Sequence, residues 1–170
     1  VARPEPENSV LEIVRAFSRR PRGMKLVVLG RYVPEQNEYH RETIAAASDE
    51  VIFPGAIYDA NVVAALRVHA RFYVHGHTVG GTNPALVEAL GAGCAVLAHD
   101  NVFNRWVAGA EAAYFYDEDD FARQLDVLGG DERQLRLMRA ASVRRFEEQF
   151  AWPKILRAYE SLLRIKSASV

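Results

Sequence analysis

The chain has 170 residues, of which 49% are hydrophobic and 25% charged, with a formal net charge of −1. That is the make-up of one ordinary globular domain with room for a core, and near-neutrality excludes a general nucleic-acid binder, which needs a basic stripe. No apolar run approaches the roughly 18 residues of a membrane span, and the single cysteine, Cys94, cannot form an internal disulfide, so a cytoplasmic setting is expected.

The opening Val1-Ala-Arg-Pro has no signal-peptide character and reads as a cut through a strand. Val10, Ile13, Val14 and Phe17 recur at helical spacing, which predicts a helix over 9–19 with one buried stripe. Lys25-Leu-Val-Val-Leu29 is a compact β-branched run and predicts a buried strand ending at Gly30. A helix is expected over 40–47, then a strand over 50–53 closed by Pro54-Gly55. Residues 61–69 predict a helix with Val62, Ala65 and Leu66 inward. A strand at 72–74, a helix at 84–90 and a strand at 94–98 follow. Residues 104–109 suggest a short helix and 113–116 a short edge strand. Three helices, 121–128, 132–146 and 152–165, finish the chain, the last with an apolar stripe of Ile155, Leu156, Tyr159, Leu162 and Leu163.

Strand and helix alternate almost throughout, which predicts an α/β fold: a Rossmann-like parallel sheet with helices on both faces. Ligands of such sheets sit at the carboxyl ends of the strands. The loops there are 3–9, 30–37, 55–59, 75–83 and 99–104, and they hold most of the glycine and the unusual polar residues.

The centre of this pattern is Tyr73-Val-His-Gly-His-Thr-Val-Gly-Gly-Thr-Asn-Pro-Ala-Leu-Val-Glu-Ala-Leu-Gly-Ala-Gly93, a strand running through a glycine loop into a helix. Asn83 before Pro84 is a strong helix start, since the amide caps free N–H groups and proline suits the first turn. Gly80 and Gly81 allow close approach of backbone to a ligand, and a helix N-terminus behind them favours an anion. Glu88 is the lone charge on an otherwise apolar or small helix. Its expected partner is the hydroxyls of a ligand whose phosphates rest on residues 80–83, or else a neighbouring arginine.

Other chemistry fits less well. The only lysines are Lys25, Lys154 and Lys166, so neither a Walker lysine nor a Schiff-base lysine is available in the ligand loops. His75 and His77 point the same way from a strand end, but no third ligand lies nearby in sequence, so no metal is expected. Residues 117–120, Asp-Glu-Asp-Asp, precede a helix and read as its cap. His99-Asp100 lacks a serine or cysteine nucleophile, so a hydrolase triad is not supported. A dinucleotide fingerprint after the first strand is absent too, which disfavours a dehydrogenase or epimerase.

Taken together, these residues resemble the C-terminal, donor-binding domain of a family 4 (group 1) retaining glycosyltransferase of the GT-B fold, with most similarity to rhamnosyltransferase-like members. The resemblance runs over essentially the whole chain. It rests on Val1-Ala-Arg-Pro-Glu-Pro-Glu-Asn8, on the stretch 75–98, and on Phe150-Ala-Trp-Pro153. It implies a single donor domain over 1–170, with 152–166 a terminal helix that crosses to an N-terminal acceptor domain. It also implies that Arg3 faces the donor diphosphate and that Glu88 binds the ribose hydroxyls. Asn8 stands where the family has a helping lysine, and Gly80 where it has a first glutamate. Backbone N–H groups of Gly80, Gly81, Thr82 and Asn83 would then replace that glutamate, with sugar recognition left open among His75, His77 and Thr82. The implied whole enzyme transfers a sugar, such as rhamnose, from a nucleoside diphosphate to a glycan or lipid-linked acceptor with retention, in surface polysaccharide biosynthesis. It would need no metal or cofactor and would work in the cytoplasm, with peripheral association at the inner membrane. The isolated domain would be inactive. The alternative is a non-catalytic nucleotide- or sugar-phosphate-binding module.

Overall fold

In the computed structural model, which describes residues 2–167, the alternation of strand and helix is realised. A 3-10 turn, Pro6–Asn8, leads into α1 (Val10–Ser18). The order continues β1 (Leu26–Val27), α2 (Glu38–Ala45), β2 (Val51–Ile52), α3 (Ala60–His69) and β3 (Tyr73–His75). Then come α4 (Pro84–Gly91), β4 (Val96–His99), α5 (Val102–Ala108) and β5 (Ala113–Phe115). The chain closes with α6 (Glu118–Gly130), α7 (Glu132–Gln149) and α8 (Trp152–Ser167). The helix starts follow local chemistry: Asn37, Asp59, Asn83, Asn101, Asp117 and Asp131 each accept a backbone N–H of the first turn. The acidic run at 117–120 is therefore a cap.

Every strand pairing is parallel, but the expected single sheet is two. β1 pairs with β2, and β3–β4–β5 form a separate ladder. The three-stranded sheet is covered on both sides, and β4 shows why its composition is almost wholly apolar. Ala95 and Leu97 face Ile13, Phe17, Phe121 and Leu135, while Val96 and Ala98 face Leu86, Leu90, Val107 and Phe150. Alternate residues thus enter two different cores. Ser142 on α7 seals the base by donating to the Cys94 carbonyl at 2.7 Å. The Cys94 thiol is buried, faces the Arg67 carbonyl, and is pushed by burial up to about 11, which makes it inert.

Two further sequence expectations need correction. Lys25 to Leu29 is not a uniformly buried strand: Leu29 is buried, but Val27 is 40% exposed, because β1 has a neighbour on one edge only. Val62, Ala65 and Leu66 do not point into a packed core, since α3 buries none of its residues. They border a cleft instead. The apolar stripe of α8 is also open, with Leu156, Tyr159, Leu162 and Leu163 all exposed. Among the described residues no helix is long and apolar enough to cross a membrane.

Candidate functional site

The carboxyl ends of the strands converge on one edge, and side-chain amides tie the loops there together. Residues 2–8 run across this edge. The Asn8 amide is buried and donates to the Arg3 carbonyl at 2.7 Å, which closes the segment on itself. Thr78 donates both its N–H and its hydroxyl to the Glu7 carbonyl, at 2.8 and 3.0 Å. The His77 carbonyl accepts from Asn101 and Asn104, each at 2.9 Å. His40 completes the frame: Nδ1 accepts the Val33 N–H at 3.0 Å and Nε2 donates to the Pro4 carbonyl at 2.9 Å, which defines its neutral tautomer.

Gly76 is where the backbone is tightest. A Cβ there would collide with the Asn8 carbonyl and lie 2.7 Å from Ile13 Cδ1, so only glycine lets the two segments meet. The loop beyond is open. Gly80 has φ +127°, a glycine conformation, and neither Gly80 nor Gly81 has an atom within 4 Å of its Cβ position.

The structure sharpens the anion-site argument. The amides at the head of α4 are not free: Asn83 Oδ1 accepts Ala85 N–H at 3.0 Å, and the Asn83 carbonyl accepts from Leu86 and Val87. The N–H groups of Gly80, Gly81, Thr82 and Asn83, in the loop itself, have no hydrogen-bond partner among the described residues. Thr82 is exposed beside them. Arg3 reaches the same edge with its side chain 83% exposed, 4.0 Å from the Glu7 carboxylate. Because Glu7 is bound to Thr78, Arg3 and the glycine loop belong to one surface.

Glu88 lies one turn into α4 with its carboxylate 58% exposed. It already has a partner, Arg67 of α3, at 2.6 Å. Arg67 is only 10% exposed, and its Nε has no hydrogen-bond partner among the described residues. The neighbouring-arginine alternative is thus realised, although sequence alone does not say which arginine, since the two residues are on separate helices.

The histidines are arranged as a stack. The His75 and His77 rings are 4.3 Å apart and within 4° of parallel. Burial, reinforced by His77, holds His75 far below its ordinary value, at about 3, and burial lowers His77 as well. Both are neutral rings at physiological pH. Among the described residues His75 has no hydrogen-bond partner at either nitrogen, and His77 none at Nδ1. Among the described residues no group of three histidine, cysteine or carboxylate side chains could hold a metal. Asp100 is taken by Arg105 through two bonds of 2.5 and 2.7 Å, which hold it below the usual carboxylate range, so it is not poised against His99.

Asn101 and Asn104 were not foreseen as site residues. Their signal was present in part, since Asn101 also caps α5, but their bond to the His77 carbonyl depends on tertiary contact.

No protein-family model matches the chain, and no curated protein matches it in sequence. Solved structures do. The chain is similar to the sucrose-phosphate synthase of Thermosynechococcus elongatus, with TM-score 0.84 and 19% identity, over 100% of this chain and 45% of that one. It is similar to Anabaena Alr3699/HepE, solved in complex with UDP, with TM-score 0.82 and 15% identity over 96% and 47% of the two chains. A third match is the C-terminal domain of a group 1 family glycosyl transferase, LpcC, from Francisella tularensis, with TM-score 0.76 and 17% identity over 88% and 83%. The chain therefore has the fold of the C-terminal, Rossmann-like half of a GT-B glycosyltransferase, and it spans less than half the length of the first two.

Proposed function

We propose that the chain is the nucleotide-sugar-binding half of a glycosyltransferase. The observation that carries this reading is the row of amides at residues 80–83, without partners among the described residues, followed one turn into α4 by the exposed Glu88 carboxylate on a GT-B fold. Diphosphate oxygens accept from those amides and from Arg3, and Glu88 accepts from the ribose hydroxyls. Glu88 would exchange part of its ion pair with Arg67 for those hydroxyls, and the buried Arg67 keeps the carboxylate oriented. Thr82 and neutral His77 supply hydrogen bonds to the sugar. Asn8 acts indirectly, by holding the turn that carries Arg3.

The chemistry this arrangement serves is departure of a nucleoside diphosphate. Negative charge grows on the leaving phosphate, and preorganised N–H groups and a guanidinium stabilise it without a metal. The acceptor would attack on the face that the diphosphate leaves, giving retention, and its binding site would belong to a second, N-terminal domain on which α8 docks its open apolar stripe. Rhamnose or another hexose is the sugar, and a surface glycan or its lipid-linked precursor is the acceptor. That role places the whole enzyme in the cytoplasm, at the inner membrane surface. HepE and the pneumococcal O-GlcNAc transferase GtfA were both solved with UDP, which makes uracil the first base to try.

Calorimetric titration with UDP, GDP, dTDP and dTDP-rhamnose tests this. One nucleotide is expected to bind saturably and to lose about tenfold, roughly 1.4 kcal/mol, in Glu88→Ala. Absence of saturable binding by all of them, in a chain shown to be folded, sinks the reading. Sugar transfer by this chain alone is expected to be undetectable; binding without transfer even in the whole protein would favour a non-catalytic binding module.

A further inference from the structure

Two arginine–carboxylate pairs of this domain differ in how many carboxylate oxygens they occupy. Arg105 grips Asp100 side-on, with Nε on one oxygen at 2.5 Å and Nη2 on the other at 2.7 Å. Both oxygens are filled, in the planar fork that suits guanidinium and carboxylate best. The contact of Arg67 with Glu88 runs instead from Nη2 to Oε2, at 2.6 Å. Arg67 Nε is buried without a partner among the described residues, so the side-on fork is absent and Oε1 of Glu88 stays open to a ligand. The pair is lopsided in burial as well: Arg67 is almost wholly enclosed, whereas the Glu88 carboxylate is mostly exposed. The backbone of Arg67 is tied down, its carbonyl accepting the Ala70 N–H and the Cys94 thiol, each at 3.2 Å. Among the described residues Glu88 is the only carboxylate that Arg67 meets. A buried guanidinium cannot exchange its one carboxylate for a neutral hydroxyl without leaving a charge uncompensated. Glu88 can turn its open oxygen to a ligand at no such cost. A vicinal diol therefore meets two unlike acceptors on one carboxylate. The first hydroxyl donates to Oε1 freely, and the second must share Oε2 with Arg67.

We propose that Arg67 makes Glu88 read one hydroxyl of the nucleoside ribose strongly and its neighbour weakly, and so sets the selectivity between ribose and deoxyribose. This rests on the nucleotide reading and refines it. The first hydroxyl leaves the ion pair intact, and only the second draws on it, by approaching Oε2. Arg67 is a positioning residue in this role, since it acts through Glu88. The substrate class that follows is wider than ribonucleoside diphosphates. One of the two monodeoxy sugars keeps the hydroxyl on Oε1 and loses only the shared contact, so nucleotides built on it are accepted too. A carboxylate free of that cation would favour the full diol, because a site that hydrogen-bonds two hydroxyls rejects a sugar lacking either.

The test measures dissociation constants for the ribose, 2′-deoxyribose and 3′-deoxyribose forms of the uracil, guanine and thymine nucleoside diphosphates. For the base that binds, one monodeoxy form is expected within about threefold of the ribose form, and the other at least about tenfold weaker. The unchanged chain alone supplies that ratio. Arg67→Met then removes the charge while keeping a long side chain that adapts to a buried site. In that variant the two monodeoxy forms are expected within about threefold of each other, both weaker than the ribose form. Each comparison is a ratio within one folded protein, so a general loss of stability does not move it. Equal losses from the two deletions in the unchanged chain overturn the proposal, as does the absence of any loss. An unequal ratio that survives Arg67→Met assigns the asymmetry to other groups and overturns it as well. Failure of every nucleotide to bind is a different result: it sinks the nucleotide reading itself, and this inference falls with it.

Discussion

Around β3, β4 and β5, Leu86, Leu90 and Leu97 are sealed from solvent, whereas Val27 of β1 and Ile52 of β2 remain open on strands just as apolar in composition. The difference does not come from the side chains. β4 has a hydrogen-bonded neighbour on each side and helices on both faces, so each of its residues is enclosed. β1 has one neighbour, and α3, which borders the cleft, buries none of its residues. An apolar residue contributes to stability only through the surface it removes from water, so the same valine is worth much less in the second region. The carboxyl-edge loops join the two regions, through Thr78 on Glu7 and His40 on Pro4.

The largest expected contrast follows from that difference. Leu97→Ala should cost about 2–5 kcal/mol in chemical denaturation, as truncation at a sealed site does. Leu66→Ala on α3 should cost less than about 0.5 kcal/mol. Comparable losses at the two positions would break the distinction. Next comes the seam. Gly76→Ala should cost about 1–3 kcal/mol, because its methyl group meets the Asn8 carbonyl and Ile13, while Gly81→Ala, with open space around it, should be close to neutral.

A smaller effect per unit change is the acid response of the histidine stack. Folded His75 stays neutral down to about pH 3, whereas the unfolded ring takes a proton near 6.5. Between those values the unfolded state binds more protons, so this contribution to stability is complete above about pH 6.5 and is lost as pH falls towards 3. His75→Phe should remove up to about 1.4 kcal/mol per pH unit from the slope between pH 6 and 4. Parallel profiles for the two proteins would refute the assignment. The smallest effect on folding is expected at Arg3, whose side chain is 83% exposed. Arg3→Ala should leave the melting temperature within about 1 °C yet weaken nucleotide binding several-fold, and an equal loss of both would make it a structural residue.

Much of this was legible beforehand because it is local. Asn83-Pro84 marks the start of α4 by capping chemistry contained within four residues, and Asp117 does the same for α6. The stripe Val10, Ile13, Val14 and Phe17 marks the buried face of α1, and all of them are buried. The same reasoning failed on α3, where periodicity identifies an apolar face but does not say whether anything lies against it. It allowed an arginine partner for Glu88 but could not say which, because Arg67 meets it only across two separate helices.

The sequence by itself determined the alternation of strand and helix, the caps that bound the helices, and the glycine loop between β3 and α4. Each depends on backbone preferences and hydrogen bonds among near neighbours. Only the tertiary structure decided which donors of that loop are left unpaired, which backbone Gly76 must clear, which cation Glu88 meets, and that the parallel strands divide into two sheets. Those outcomes depend on segments far apart in the chain competing for the same space and the same hydrogen-bonding groups. Local pattern fixes neither the partner nor the distance.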